Sequence, residues 1–320
     1  MNDMIHPDWW DAPIALGLVI LGVWWLAALD ALFTAHTAGR GWRLAAFWQP
    51  WQAGLRHLYK EFRPTERPDP YLWRAAPVLL VGLALASLTV MPLSPTWIGA
   101  DLSVGVVFFT AMFALVLVAA FWAGWGPNSK YALTSGYRFV GLMLAYEMPL
   151  AITIIAVALP AESLRLGAIV ATQQQTYWNV VTQPVGFLIY LLCALAVPFW
   201  GPFNVVNAPD LAGGAREELS GASLLVWRFG QYALFLTLSA FAVPLFLGGG
   251  AGPWLPAPLW SIIKILLVGA VLVALSHHLP RVRLDRFMEI AWVFLIPLSL
   301  VNLFLIGLLL LIWPELAGKS

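Results

Sequence analysis

The sequence predicts an all-α polytopic membrane bundle of about eight transmembrane helices, with an interfacial amphipathic helix after the first. Composition is the first reason. Of the 320 residues 61% are hydrophobic and only 10% are charged, whereas soluble domains carry roughly 25% charged residues. The second reason is continuity: eight apolar stretches approach the length of about 20 residues that a helix needs to cross a bilayer. The third is that these stretches lack the alternation of outer-membrane barrel strands. A large soluble core is excluded by the same numbers, and a net charge of +1 gives no footprint for nucleic acid.

The spans fall near residues 13–32, 75–95, 103–124, 137–159, 184–202, 224–247, 258–277 and 290–313, within one domain over 1–320. The connection after the first span, 33–74, is long for a link between helices. It opens on Gly39-Arg40-Gly41 and then repeats Trp51, Leu55, Leu58 and Phe62 at helical spacing, with Gln52, Arg56, Lys60 and Glu61 on other faces. That pattern predicts a helix lying in the membrane interface, with Pro50 in its first turn. Pro64, Pro68 and Pro70 keep it from running into the second span. The link near 161–182 contains Thr172-Gln173-Gln174-Gln175-Thr176 and is too polar to order itself without neighbours. Trp9, Trp10, Trp97, Trp254 and Trp313 sit at span ends, where interfacial anchoring accounts for them. The acidic start, with Asp3, Asp8 and Asp11, does not read as a cleavable signal.

Basic residues set the orientation. Arg40, Arg43, Arg56, Lys60, Arg63, Arg67 and Arg74 lie after span 1, and Lys130 and Arg138 after span 3. Arg216 and Arg228 follow span 5, and Arg281, Arg283 and Arg286 follow span 7. Only Arg165 and Lys319 fall on the other side, with Lys264 left inside span 7. The odd-numbered connections are therefore expected to be cytoplasmic and both termini outside, in a prokaryotic cell (inner) membrane.

Chemistry has few places to reside in such a chain. Glu147, in Tyr146-Glu147-Met148-Pro149, brings a carboxylate into a span. An ionised carboxylate there costs a few kcal/mol, so it needs a partner, a wet cavity or a proton. The connection 203–223 holds Asp210, Arg216, Glu217 and Glu218 among glycines. Its charges serve either to keep a solvated loop out of the bilayer or to line a cavity mouth and pass protons. Lys264 either snorkels to the interface or pairs with a carboxylate of a neighbouring subunit. His277-His278 cap the end of span 7, which suits imidazolium at a helix C-terminus, with a ligand role as the alternative. Cys193, alone in an apolar run, offers no internal disulfide or metal cluster and reads as a buried small residue. Phosphate loops, metal-ligand spacings and hydrolase motifs are missing, so no catalytic residue and no metal site is expected.

Taken in order, four segments give a family resemblance. They are Gln49-Pro50 through Lys60-Glu61, and Asn128-Ser129-Lys130-Tyr131-Ala132 through Tyr146-Glu147-Met148-Pro149-Leu150. Pro202-Phe203 through Glu218-Leu219-Ser220-Gly221 and Leu279-Pro280-Arg281 through Asp285-Arg286-Phe287-Met288 complete the set. With them the chain resembles, over nearly its whole length, the H subunit of the proton-translocating NADH-quinone oxidoreductase, respiratory complex I. The resemblance implies a component that joins membrane and peripheral arms, encloses part of a quinone cavity and begins a line of charged residues through the membrane. It implies quinone as substrate, lipid around the bundle, and no cofactor held by this chain, with FMN and iron–sulfur clusters in partner subunits. The residues it points to for proton path and cavity are Glu147, Tyr146, Lys130, Asp210, Arg216, Glu217 and Glu218, with Gln231, Arg281, Asp285 and Lys264 as a second set.

Departures from the family pattern are concentrated in acids. Asn204 and Asn207 stand where carboxylates are expected, Gln231 where many members have glutamate, Asp210 for a glutamate and Ala53 for an aspartate. Asn and Gln keep hydrogen bonds but carry no proton charge. A divergent member with a thinned proton path, or with another reductant or quinone, is therefore expected. Two rivals remain: the membrane subunit of an energy-converting hydrogenase, and a stand-alone transporter or channel, which missing inverted repeats disfavour.

Overall fold

Inside lipid a backbone must satisfy its own hydrogen bonds, so apolar runs of this length become helices. The computed structural model describes residues 11–42, 44–61, 65–95, 97–207, 214, 216, 218–313 and 315. Among them eight helical segments are long and apolar enough to cross a bilayer: Ala12–Arg40, Pro70–Leu88, Gly105–Trp125, Lys130–Ala158, Pro184–Asn204, Gly221–Phe246, Ala257–His278 and Leu284–Ile312. The expected all-α polytopic bundle is the one observed.

The helices are α1 (Asp11–Ala35), α2 (Gln49–Tyr59), α3 (Pro70–Leu88), α4 (Gly105–Trp125), α5 (Lys130–Ala158) and α6 (Leu166–Gln175). They continue with α7 (Asn179–Thr182), α8 (Pro184–Ala196), α9 (Gly221–Phe246), α10 (Ala257–His278), α11 (Leu284–Ile290) and α12 (Ile296–Ile312). The predicted interfacial helix is α2, with Pro50 in its first turn.

Three boundaries differ from the hydropathy reading, each for a local reason. α3 starts at Pro70 because Asp69 caps it, its Oδ1 accepting from the backbone N–H of Tyr71 (3.1 Å) and Leu72 (3.3 Å). α5 starts at Lys130, so the charged stretch 128–132 is a helix entry and not a loop. Asn128, at φ 53°, turns the chain there in the left-handed conformation that Asn tolerates. α11 runs through a π-helical turn, Ala291–Leu295, into α12, which places Asp285 and Arg286 on the last span rather than before it.

α9 is the central post. It packs against α1, α2, α3, α5, α6, α7, α8 and α10, and every residue from Ala233 to Phe246 is buried. Its interior hydroxyls bond back one turn, Thr237 to the Ala233 carbonyl (2.8 Å) and Ser239 to that of Phe235 (2.8 Å). At the C-terminal end of α9 the polar link forms α6 and α7. Gln173 Nε2 donates to the Pro244 carbonyl (2.7 Å) while its Oε1 accepts from the backbone N–H of Gly248 (3.0 Å) and Asn179 (3.2 Å). The link that looked unable to order itself is thus fastened to the C-terminus of α9.

Lys264 completes that end. Its Nζ donates to the carbonyls of Leu247 (2.6 Å), Gly249 (2.8 Å) and Ala251 (2.8 Å) and lies 4.3 Å from the Trp178 ring centroid. The ammonium therefore neither snorkels nor needs a neighbour's carboxylate: its three donors are used by its own chain. Replacing it with Met strands three carbonyls. We expect Lys264→Met to destabilise by about 3 kcal/mol, the scale of lost charge-assisted bonds. Thermal melting of the solubilised protein should drop by on the order of 5 °C, and an unchanged midpoint would contradict the cage.

Candidate functional site

At the opposite end of the bundle the second half of α1, α2, the 3-10 helix Gly201–Asn207, the first turns of α9 and the end of α10 enclose a cavity of about 910 Å³. Two glycines set its walls. Gly201, at φ 56°, would put a Cβ 2.8 Å from Ser276 Cα, so the 3-10 helix lies directly on the end of α10. Gly221, at φ 58°, would put one 2.8 Å from the Lys60 carbonyl oxygen, which ties the start of α9 to the end of α2. α2 leaves Trp51, Leu55 and Leu58 exposed, as a helix in the interface does, with all three at the cavity, and buries His57.

The wall combines an apolar body with polar points. Asp30 is the acid among the described lining residues, against Arg216, Arg228, Arg281, His57 and His277. Asp30 Oδ1 lies 2.9 Å from His277 Nε2, and Asp30 Oδ2 accepts from Tyr232 Oη at 3.0 Å. Four lining residues also carry buried polar atoms with no hydrogen-bond partner among the described residues: Trp24 Nε1, His57 Nδ1, Asn204 Oδ1 and Arg228 Nε. Buried polar groups are almost always paired, so this wall is built to meet water or a polar ligand.

The predicted residues divide into groups. Arg216, Gln231 and Arg281 line the cavity, and Gln231 Nε2 donates to the Pro198 carbonyl (3.3 Å). Glu147 and Tyr146 do not line it. Glu147 sits near the middle of the 29-residue α5 between exposed Leu144 and Met148, and Tyr146 is buried with Oη unpartnered among the described residues. The Cys193 thiol on α8 points to the Tyr146 carbonyl at 3.6 Å. Lys130 is exposed with Nζ 5.0 Å above the Tyr131 ring, and Glu218 is half-buried outside the lining. Asp285 pairs with Arg283 at 3.2 Å on an exposed face, and Lys264 lies at the far end of α10, so the structure assembles neither with the cavity. Asp210 and Glu217 lie outside the described residues, as do Trp9, Trp10, Arg43, Arg63 and Lys319.

Sequence reasoning missed Asp30, His57 and Tyr232 and treated His277 as a helix cap. A signal existed for Asp30, a carboxylate inside a predicted span just as Glu147 is. His57 departs from the apolar row of α2, yet only the packing on α9 makes it buried.

Fold and cavity define a polytopic helical membrane protein with a ligand-sized chamber, mostly apolar with a few polar points, at one end of the bundle. Its relatives give the family. The NADH dehydrogenase family model matches residues 14–307. The second H subunit of NADH-quinone oxidoreductase from Cereibacter sphaeroides is 37% identical over 250 residues, which cover 78% of this chain and 79% of the relative. The second H subunit from Rhodopseudomonas palustris is 34% identical over 255 residues, covering 79% and 80% respectively. The chain belongs to the family of NADH-quinone oxidoreductase H subunits, as its four segments implied.

His57 makes the site sensitive to acid. Burial, then the nearby charges of Arg228, Lys60, Arg216 and Arg56, hold its imidazole below the usual value of 6.5. The unfolded chain therefore binds more protons than the folded one between the lowered value and 6.5. Stability is full above that window and falls as pH drops through it. The melting temperature of the solubilised protein should fall from about pH 7 to about pH 5, and His57→Asn should make that fall shallower. Parallel curves for the two proteins would contradict this assignment.

Proposed function

We propose that the chain acts as the membrane-arm subunit that encloses part of the quinone site of a proton-translocating NADH-quinone oxidoreductase-like complex, and that it links quinone reduction to proton movement. The observation that carries the reading is the cavity itself. Its volume, about 910 Å³, is within the range of small-molecule sites. It opens beside an interfacial helix, where a lipid-soluble substrate resides. Its orphaned donors on Trp24 and Arg228 suit a molecule that brings carbonyl acceptors. A basic wall favours the negative charge that develops when such a molecule is reduced. Quinone has this chemistry.

In this reading 1–320 forms one domain of the H-subunit type in a prokaryotic cell (inner) membrane with both termini outside, in contact with lipid and with other membrane-arm and peripheral-arm subunits. FMN and iron–sulfur clusters belong to those partners in this reading, and the single cysteine, Cys193, is too few for a cluster. Arg216 and Arg281 serve the cavity, and Asp210, Glu217 and Glu218 belong to the proton path of the complex. Glu147, with Tyr146 and Lys130, belongs to the membrane path. A carboxylate on a face that also presents Leu144 and Met148 is costly against lipid, so that face meets a partner subunit.

A membrane component of an energy-converting hydrogenase and a stand-alone transporter are the competing readings. Pulling down the native assembly separates them: NADH-oxidising partners support ours, and a large subunit with nickel-ligand cysteines or a monomer active in uptake opposes it. In vesicles of the intact assembly, Glu147→Gln should cut the NADH-driven membrane potential by more than about half while assembly persists. Gln231→Glu should raise the proton-to-electron ratio. A Glu147→Gln complex that pumps normally, or an unchanged ratio with Gln231→Glu, would count against the respective role.

A further inference from the structure

The cage around Lys264 is more than a set of bonds to one side chain, because its walls stand without that side chain. The three carbonyls that Lys264 Nζ meets, at 2.6, 2.8 and 2.8 Å, belong to Leu247, Gly249 and Ala251 in the loop after α9. Other bonds fasten that loop. Leu247 and Gly249 both donate their backbone N–H to the Val243 carbonyl (3.0 and 3.1 Å), and Ala251 donates to that of Gly248 (3.3 Å). Gln173 Oε1 accepts from the Gly248 N–H (3.0 Å), and Gln174 Nε2 donates to the Gly248 carbonyl (3.3 Å). Gly248 and Gly249 take left-handed φ of 67° and 59°, and a Cβ on Gly249 would lie 2.7 Å from Val170 Cγ1, so only glycine follows this course.

Three carbonyls at these distances require three N–H donors, which an ammonium has and a neutral amine lacks. Among the described residues no carboxylate bonds this ammonium. Its charge is met instead by the carbonyl dipoles at the C-terminus of α9 and by the Trp178 ring, whose centroid is 4.3 Å away. Backbone carbonyls that stand in for a hydration shell are how membrane proteins hold monovalent cations, whereas calcium and magnesium sites draw on carboxylates. An ammonium group and a potassium ion are close in size. We propose that the cage is a monovalent-cation site that the chain fills with its own ammonium, and that with Nζ removed it takes a free potassium or ammonium ion. This inference stands apart from the quinone-site reading.

A free ion binds by mass action, so a cap made with one would tighten and loosen with the salt concentration around it. Carried on α10, the cation is always present. It holds the C-terminal end of the buried post α9 to α10 and, through the Trp178 ring, to the link that forms α6 and α7. Lys264 is 9% exposed and two of its three bonds are partly buried, so a small ion reaches the cage once the side chain is cut back. Lys264→Met keeps an unbranched stem that ends one atom short of Nζ and so vacates the cation position alone. Lys264→Ala vacates the stem as well and leaves room for propylammonium, the fragment removed.

The test uses the full chain in lipid nanodiscs, melted in choline, potassium or ammonium chloride at equal ionic strength, with radioactive rubidium as the tracer for potassium. The wild-type midpoint should be the same in all three salts. Lys264→Met should melt lower in choline and regain at least about half of its loss in about 100 mM potassium or ammonium. It should also bind one rubidium ion per chain beyond the wild-type count, displaced by ammonium. Lys264→Ala should regain its loss with propylammonium and not with propyltrimethylammonium, which carries the charge without N–H donors. Equal midpoints of Lys264→Met in the three salts, with no added rubidium, would overturn the proposal and leave the cage specific to its own lysine. Equal recovery of Lys264→Ala with the two propyl cations would also overturn it, as a general effect of salt. If Lys264→Met folds only when extracted in potassium or ammonium salts, the proposal holds. Failure to fold in every salt, with Lys264→Ala unmoved by propylammonium, would overturn it.

Discussion

A helix enclosed on every side within a membrane can place a polar side chain only against another polar group or into a cavity. α9 is such a helix, and the rest of the structure follows from how its two ends solve the problem. At its C-terminal end the polar groups are consumed internally. Gln173 and Asn179 close the carbonyls of Pro244 and Leu245, and Lys264 spends all three donors on the loop that follows. At its N-terminal end they meet a cavity. Arg228, Gln231 and Tyr232 face a chamber shared with α1, α2 and α10. The difference between these ends separates structural from functional polarity in a chain with only 10% charged residues.

Gln231 reaches the Pro198 carbonyl, while Glu147 and Tyr146 lie beyond α8, whose Cys193 touches the Tyr146 backbone. Pro149, two residues after Glu147, removes one donor from the backbone of α5, and a proline there loosens the helix beside the carboxylate. In the proposed function a proton leaving the chamber starts from a wall in which Asn204 and Gln231 occupy positions where the family pattern carries acids. That wall retains one acid among the described lining residues, Asp30, paired to His277.

The spans were legible because hydrophobicity over 20 residues is a one-dimensional property, and so was α2, whose apolar row is written at helical spacing. Entries to α3 and α5 were not, since a single cap at Asp69 or a left-handed Asn128 overrides the hydropathy edge. Glu147 was legible as an acid in an apolar run. The unit at Asp30 was not: its partners lie 202 and 247 residues away, a pairing that only the packing of α1 on α9 and α10 creates. Lys264 stood out as an intramembrane ion, but its cage consists of backbone carbonyls, whose directions no residue pattern records.

In the proposed function the chamber beside the first turns of α9 receives the quinone. A photoreactive quinone analogue, applied to the intact assembly and mapped by peptide sequencing, tests it most directly. Labelling of this chain within α2 and the first turns of α9, suppressed by excess quinone, is the result predicted. Labelling of an active assembly that spares those segments, or that falls only on the exposed face of α12, would contradict it.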